Sequence, residues 1–347
     1  MERPGVDRDK KRRVRRLALY GAPVPLVFAL CVCVGSVNIG LGQTIRALFG
    51  LLEAASPDSL IIRTVRLPRV LCVALVGAAL SLSGCAMQGL LRNPLADGST
   101  LGVSAGAALG AVLAIALGRT GMGGAVVMAV LFAFGSLLVI LALSFALDGS
   151  LATNTIILVG VIFSMFASAL MSLVIAFAGE HVRTITFWTM GSLAGTGYGH
   201  ALLLAGALLP CAGIILCLGR ELNAFAVGEE NARHVGVDVK RVKLLVMVCV
   251  SALIGVCVSV GGTIGFVGLV IPHMTRMLSG PDHKVLLPAS MTVGAVFLML
   301  ADLTARILVK PLELPIGVLT SLVGAVAFVL IFYRSRRGAA GHEYVGY

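Results

Sequence analysis

The chain has 347 residues, of which 58% are hydrophobic and 12% are charged, and its mean hydropathy is +1.02. This composition excludes a soluble globular protein, because so few polar side chains cannot cover a surface that faces water. The formal net charge of +11 comes largely from a basic N-terminal run. We interpret that run as a topology signal, with a patch for lipid or nucleic acid as the alternative.

Apolar runs of about 18 or more residues recur along the chain, and each can cross a hydrocarbon core as a helix. They do not alternate as the strands of a membrane barrel would. The eighth run is short and begins in a glycine-rich stretch, so it could instead be re-entrant. We predict an all-α polytopic membrane protein with about ten transmembrane helices, at residues 17–38, 67–91, 101–117, 125–147, 154–178, 201–218, 244–262, 263–279, 285–305 and 314–333.

The distribution of basic residues predicts that both termini are cytoplasmic. With ten spans, the inner segments carry 19 of the 27 Lys and Arg residues and the outer segments carry 8, as the positive-inside rule requires. Residues 1–16 then form a basic cytoplasmic N-terminus, 17–333 the transmembrane domain and 334–347 a cytoplasmic tail. The first span is too long for the apolar region of a signal peptide, which indicates a retained anchor.

Residues that could carry covalent or metal chemistry are scattered along the chain. The eight cysteines lie inside predicted spans, where they are typical of small buried apolar side chains. The six histidines form no i, i+4 pair, so we expect neither a metal site nor a cofactor. No glycine precedes a lysine, so the chain lacks the GxxxxGKS/T phosphate-binding loop. We therefore do not expect this chain to be an enzyme, and if ATP drives the protein, another polypeptide must hydrolyse it.

Small residues and a proline predict how the second and third spans are arranged. Pro94 disfavours the helical conformation of Asn93 and ends the second span, after which Asp97 or Ser99 could cap the third. Glycines then recur every four residues and share one helix face, where a neighbouring backbone can approach closely. These glycines are Gly102, Gly106 and Gly110.

Two long blocks of sequence carry a family resemblance. The first runs from Arg66 to Gly106. The second reads IGFVGLVIPHMTR at 264–276, including Pro272, and ends in Glu-Leu-Pro-Ile-Gly at 313–317. The chain resembles the FecCD-type permeases, which are the membrane subunits of ABC importers for iron-siderophores, haem and cobalamin. The resemblance implies a type II importer permease whose partners are a second copy of the chain, two ABC ATPase subunits, an extracytoplasmic binding protein and a metal chelate.

The long inner loop 219–243 is polar and divided by glycines, which indicates two short helices with a glycine turn between them. On its residues alone the loop could be a solvated connector. The resemblance implies that it is the coupling element that fits into a cleft of the ATPase subunit. The residues that match the family pattern there, or that could make the contact, are Gly228, Glu229, Glu230, Ala232, Arg233, Gly236 and Val237.

Three arginines lie near the outer ends of the second and ninth spans, namely Arg66, Arg69 and Arg306. Each could extend to the interface and anchor its helix, and Asp302 could form an i, i+4 ion pair with Arg306. The resemblance implies that arginines at these positions bind glutamates of the binding protein, which guanidinium groups can hold bidentately. In the outer loop 179–200, Trp188 indicates an interfacial belt, whereas the resemblance suggests a short re-entrant helix.

The sequence therefore predicts the permease subunit of an ABC importer in the inner or plasma membrane. It would work as a homodimer and carry an iron-siderophore, with haem and cobalamin as alternatives. A more distant alternative, an ion-coupled secondary transporter, would need ionisable residues near mid-membrane. Asp302 is instead placed near a span end. An intramembrane enzyme would need catalytic groups that converge inside the bilayer, and His273 stands alone.

Overall fold

The computed structural model describes residues 15–52, 56–98, 100–119, 122–149 and 151–343, and within them the chain is helical and contains no strand. The helices, numbered in chain order, are α1 (Arg15–Cys33), α2 (Leu41–Leu48), α3 (Pro57–Leu90), α4 (Val103–Ala116), α5 (Met122–Asp148), α6 (Thr153–Phe177), α7 (Val182–Thr189), α8 (Tyr198–Cys217), α9 (Gly219–Val227), α10 (Glu229–His234), α11 (Val239–Gly261), α12 (Val267–Ser279), α13 (His283–Ile307) and α14 (Ile316–Glu343).

The described helices confirm the all-α polytopic fold, although not every predicted span is a full-length helix. Seven of them are long and apolar enough to cross a membrane, namely α1, α3, α5, α6, α8, α11 and α13. The apolar parts of α4 and α14 are shorter, at Val103–Ala116 and Ile316–Ile331. The predicted eighth span contains only α12, whose 13 residues cover about 20 Å at 1.5 Å per residue. The non-helical residues 262–266 precede this short helix.

The core of the fold is built around α3, α11 and α13. The most apolar stretches of these helices are 78%, 72% and 61% buried, against 11% for α1 and 22% for α6. Helix α3 packs against α8, α11, α12 and α13. Glycines allow two of these contacts to be very close, because a Cβ at Gly77 would lie 2.4 Å from the carbonyl oxygen of Gly294, and one at Gly84 would lie 1.8 Å from that of Gly268.

The glycine stripe of the third predicted span is only partly helical. Gly106 and Gly110 face α5, where a Cβ at Gly110 would lie 2.4 Å from the carbonyl oxygen of Met128. Gly102 precedes the helix, since α4 begins at Val103, and it has a φ of +73° that favours glycine. The predicted start of this span at residue 101 is therefore too early.

The turn before α4 is held by side chains. Asn93 Oδ1 accepts a hydrogen bond of 2.9 Å from the amide of Leu95, one residue after Pro94. The Asp97 carboxylate accepts one of 3.2 Å from the Thr100 amide, and the Thr100 hydroxyl accepts one of 3.1 Å from the Asp97 amide. Asp97 thus closes the turn and does not cap α4. Ser99 lies outside the described residues.

The predicted boundaries at the two ends of the chain can be compared with the structure only where residues are described. Residues 1–14 of the predicted basic N-terminus and residues 344–347 of the predicted tail lie outside the described residues. Helix α14 continues to Glu343, so the predicted border between 333 and 334 falls inside a helix. Pro272 and the neighbouring His273 both lie within α12.

Candidate docking and coupling sites

Arg69 and Arg306 meet in one buried ion cluster, and Arg66 lines the same small cleft; we call these three residues the arginine cluster. Arg69 donates to Asp302 Oδ1 from Nε at 3.1 Å and from Nη2 at 2.9 Å, and to Glu313 Oε2 from Nη1 at 2.7 Å. The other carboxylate oxygen of Asp302 lies 2.9 Å from Arg306 Nε, an ion pair between residues one turn apart. The expected i, i+4 pair is therefore present, and Asp302, 1% exposed, is balanced by two guanidinium groups.

Two of these arginines also bind the end of α1, a role that the sequence analysis missed. Arg66, 4% exposed, and Arg306, 2% exposed, donate hydrogen bonds of 2.9 to 3.4 Å to carbonyl oxygens of the last turn of α1. Arg66 also donates to the carbonyl oxygen of Val37. Carbonyl groups at a helix C-terminus lack intrahelical partners and attract cations. The acceptors in and just after this turn are those of Cys31, Val32, Cys33 and Val34.

A small cleft of about 40 Å³ opens beside the cluster and is lined by Ser36, Val65, Glu313 and the three arginines. Glu313 is the more accessible carboxylate there, since its side chain is 29% exposed and that of Asp302 is 1% exposed. The cleft has room for a group about the size of one carboxylate. A carboxylate that entered it would meet Glu313 as a competitor for Arg69.

Glu313 lies just before the start of α14, where three segments of the chain pack closely. The amide of Gly317 donates to the carbonyl oxygen of Gly191 at 3.3 Å. A Cβ at Gly317 would lie 2.5 Å from the carbonyl oxygen of Thr263. The Thr263 hydroxyl donates to the carbonyl oxygen of Thr189. The end of α7, the broken segment 262–266 and the start of α14 therefore touch one another through backbone groups.

Helix α7 lies in the loop 179–200, for which the sequence allows either an interfacial belt or a short re-entrant helix. It has 8 residues and packs against α4 and α6. Ile185 is buried against Val112 and Ile115 of α4, and Trp188 is half-buried against the same cluster. The loop therefore contains a short helix that packs on the helical body, and its re-entrant character stays a prediction.

At the other end of the bundle, Lys243 is 2% exposed and joins three segments. Its Nζ lies 2.7 Å from Glu229 Oε1, 2.9 Å from the carbonyl oxygen of Leu151 and 3.5 Å from Thr153 Oγ1. The Thr153 hydroxyl donates to Glu229 Oε1 at 2.7 Å. Burial opposes ionisation of Glu229, but hydrogen bonds from Lys243 and Thr153 outweigh it and lower the pKa of this carboxyl from its ordinary value.

The other residues predicted to couple to an ATPase lie in the same segment as Glu229. Glu230 and Arg233 are exposed on α10, whereas Ala232 is fully buried. Gly228 and Gly236, with φ values of +131° and +88°, begin and end the α10 segment, and Val237 follows half-buried. The polar loop is therefore two short helices divided by glycine, as its composition predicts.

Helix α9 is fastened to α13 by a contact that sequence reasoning also missed. Asn223 Nδ2 donates to Asp282 Oδ1 at 2.7 Å, and Asn223 Oδ1 accepts from the His283 amide at 2.8 Å. His283 begins α13 and Arg306 lies in its last turn. The 25 residues of α13 cover about 37 Å at 1.5 Å per residue, so the arginine cluster and the α9–α10 hairpin lie near opposite ends of one membrane-length helix.

A cavity of about 580 Å³ lies between these two ends. It is bordered by α3, α4, α6, α11, α12 and α14, and its lining is mostly apolar, with Ser83, Asp97 and Thr263 among the polar members. No cluster of His, Cys, Asp or Glu able to hold a metal ion occurs in the part of the chain that the structure describes.

Comparisons with known proteins agree with this arrangement. A model of the FecCD transport family matches residues 24–334. The chain is 46% identical over 282 residues, 80% of each chain, to the uncharacterized ABC transporter permease protein YvrB of Bacillus subtilis. It is 37% identical over 330 residues to the vitamin B12 import system permease protein BtuC of Salmonella typhimurium, covering 95% of this chain and 98% of that protein.

Two solved structures are similar to this one. A metal-chelate type ABC transporter in an inward-facing conformation aligns with a TM-score of 0.80 at 35% identity, over 92% of this chain and 98% of that chain. PsaBC from Streptococcus pneumoniae aligns with a TM-score of 0.56 at 18% identity, over 76% of this chain and 90% of that chain. The second likeness concerns the fold alone.

Proposed function

We propose a transport mechanism for this chain, which belongs to the FecCD transport family and is a polytopic membrane permease of an ABC importer. Permeases of this kind work as dimers with ATPase and binding-protein partners. In our proposal two copies of the chain enclose the path of a metal chelate. The observation that carries the proposal is that α13 joins the arginine cluster at one end to the α9–α10 hairpin at the other.

The hairpin end is the proposed ATPase contact. Residues 219–243, with α9, α10 and the first turn of α11, would enter a cleft of the ATPase subunit through the exposed face of α10, which carries Glu230 and Arg233. A short helix between two glycine turns can move as one body. Separate ATPase subunits would hydrolyse the ATP.

The arginine end is the proposed contact for the binding protein. A carboxylate of that protein would enter the cleft beside Arg66, Arg69 and Arg306, where a guanidinium fork can hold it. In the described arrangement these groups already bind Asp302, Glu313 and the end of α1. Docking would therefore exchange Glu313, the accessible partner, and leave the buried Asp302 in place.

Alternating access follows if docking and ATP-driven closure favour different packings of the same helices. The cavity of about 580 Å³ would form one protomer's share of the path. The junction of Gly191, Thr263 and Gly317 would close its outer side. The hairpin and both termini would be cytoplasmic, because that orientation places 19 of the 27 basic residues inside.

The cargo that we propose is a bulky metal chelate. An iron-siderophore is the expectation from the family resemblance, with haem as an alternative. Cobalamin has a specific observation in its favour, since relatives that cover 95% of this chain are vitamin B12 permeases. A mostly apolar cavity selects weakly by chemistry, which leaves the choice of cargo to the binding protein.

The test is uptake by the complete importer reconstituted in liposomes with its ATPase and binding protein. We expect ATP-dependent accumulation of one of three probes, ferric siderophore, cobalamin or haemin. Uptake that persists without ATP and follows an imposed proton or sodium gradient would instead support the secondary transporter.

A further inference from the structure

We propose that Glu229, Lys243 and Thr153 form a mechanical joint that carries movement of α10 into α6 and α11. In this view Glu229 is a positioning residue and not an ATPase contact. The inference rests on the proposed function, since it assigns a route by which a moving hairpin reaches the membrane helices.

The joint is held together by the charge of Lys243. A buried ammonium group is stable only when it is paired and hydrogen-bonded. The three acceptors that surround Nζ are the carboxylate of Glu229 at 2.7 Å, the carbonyl oxygen of Leu151 at 2.9 Å and the hydroxyl of Thr153 at 3.5 Å. Separating α10 from the spans would leave Lys243 without its counter-ion, so the segments are expected to move together.

Each member of the joint belongs to a different segment. Glu229 is the first residue of α10, Thr153 is the first residue of α6, and Lys243 lies in the second turn of α11. Leu151, in the connector before α6, has a φ of +56°, a conformation that costs energy for a residue with a bulky side chain and persists only where its surroundings enforce it. Its carbonyl group is one of the acceptors of Lys243.

Both spans that the joint reaches border the cavity. Helix α6 contributes Ser168 and Met171, and α11 contributes Ile254, Cys257 and Val258. A displacement of α10 that is passed to the ends of α6 and α11 would therefore change the wall of the proposed path. No other described ion pair links α10 to a span.

The neighbouring Glu230 provides a matched control. It has the same charge and lies on the same short helix, but it is exposed and forms no ion pair among the described residues. If Glu229 acts through the joint, then Glu229→Gln and Glu230→Gln should affect different steps of transport. Glu229→Gln should lower the cargo taken up per ATP, and Glu230→Gln should affect ATPase binding alone.

The experiment compares wild type, Glu229→Gln and Glu230→Gln in the complete importer in liposomes, with three readouts: ATPase co-purification, ATP hydrolysis, and cargo taken up per ATP. We expect Glu229→Gln to keep ATPase binding and hydrolysis but to lower uptake per ATP about tenfold, within the range of allosteric couplings. A fall of less than about threefold, or loss of ATPase binding in Glu229→Gln, would overturn the joint.

Two further variants keep the test decisive if Glu229→Gln does not assemble. Thr153→Val removes one hydroxyl and keeps both charges, and it should lower uptake per ATP in the same direction. The exchange Glu229→Lys with Lys243→Glu should recover part of the uptake that each single reversal loses. Failure of the wild-type complex to take up any probe with ATP would contradict the proposed function itself. If the wild-type complex transports and Glu229→Gln takes up as much cargo per ATP, the joint is contradicted but the proposed function is not.

Discussion

Asp302 accepts two hydrogen bonds from Arg69, of 2.9 and 3.1 Å, on a single carboxylate oxygen. The other oxygen faces Arg306, so one buried carboxylate near the end of α13 fixes that helix to Arg69 within α3. Through the same two helices, Arg66 and Arg306 hold the end of α1. The arginine cluster is therefore a structural element before any partner binds to it.

Replacement of Asp302 by alanine should destabilise the protein strongly. The change leaves Arg306 buried without its counter-ion and Arg69 with Glu313 alone, and breaking a buried pair in this way typically costs about 3–5 kcal/mol. The measurement is thermal unfolding of the purified protein in detergent. Glu180→Ala, at an exposed acidic position, is the control and should leave the midpoint unchanged. Equal midpoints for both variants would contradict the structural role of the cluster.

Glu313→Gln should tighten docking of the binding protein. The change removes the charge that competes for Arg69, and a part-exposed ion pair is worth up to about 1 kcal/mol, or about fivefold in affinity. Binding to the importer in nanodiscs measures the effect, with Glu180→Gln as control. Weaker binding by Glu313→Gln would mean that Glu313 itself contacts the partner.

Gly110→Ala should destabilise the contact between α4 and α5. Its Cβ would lie 2.4 Å from the carbonyl oxygen of Met128, and such overpacking typically costs about 1–3 kcal/mol. Gly135→Ala is the matched control in the middle of α5, where nothing lies within 4 Å of the added Cβ. It should be neutral or slightly stabilising, because alanine favours a helix interior. Unfolding midpoints that fall equally would argue against backbone contact at Gly110.

Acidification should weaken the joint at Glu229. Its pKa in the folded protein lies below the ordinary value of 4.5, so its ionised form contributes stability that is complete above pH 4.5 and is lost as the pH falls through the folded-state pKa. The difference in unfolding midpoint between wild type and Glu229→Gln should therefore shrink below pH 4.5. A difference in unfolding midpoint that stays constant as the pH falls below 4.5 would show that the charge of this carboxylate does not contribute to stability.

Sequence patterns predicted the helical class and the approximate positions of the spans, because long apolar runs cross a bilayer as helices. The second span is an exception at its start, since α3 begins at Pro57 and not near residue 67. The patterns also predicted that the eighth span, which contains α12, is short. They did not predict that α4 begins only at Val103 and α12 only at Val267, since glycine-rich segments beside an apolar run look like helix by composition. Long-range contacts were also invisible. Arg66 binds carbonyl groups 33 and 34 residues earlier, and no local pattern marks that pairing.

Within the predicted coupling set, Glu229 and Glu230 are adjacent and chemically identical. Only packing separates them, because helical rotation turns Glu229 towards Lys243 and leaves Glu230 exposed. Lys243 is the last residue of a polar loop, so the sequence predicts that it is solvated, yet it is 2% exposed. The sequence therefore indicated the right segments, and the fold determined which side chains face inward.

The central claim is that the arginine cluster and the α9–α10 hairpin face opposite sides of the membrane. Its most direct test is labelling with a membrane-impermeant maleimide of Ser36→Cys, beside the cluster, and Glu230→Cys, on the hairpin, in a chain whose eight native cysteines have been replaced. We predict that Ser36→Cys reacts in right-side-out vesicles and Glu230→Cys only in inverted ones. Reaction of both from the same side would contradict the account.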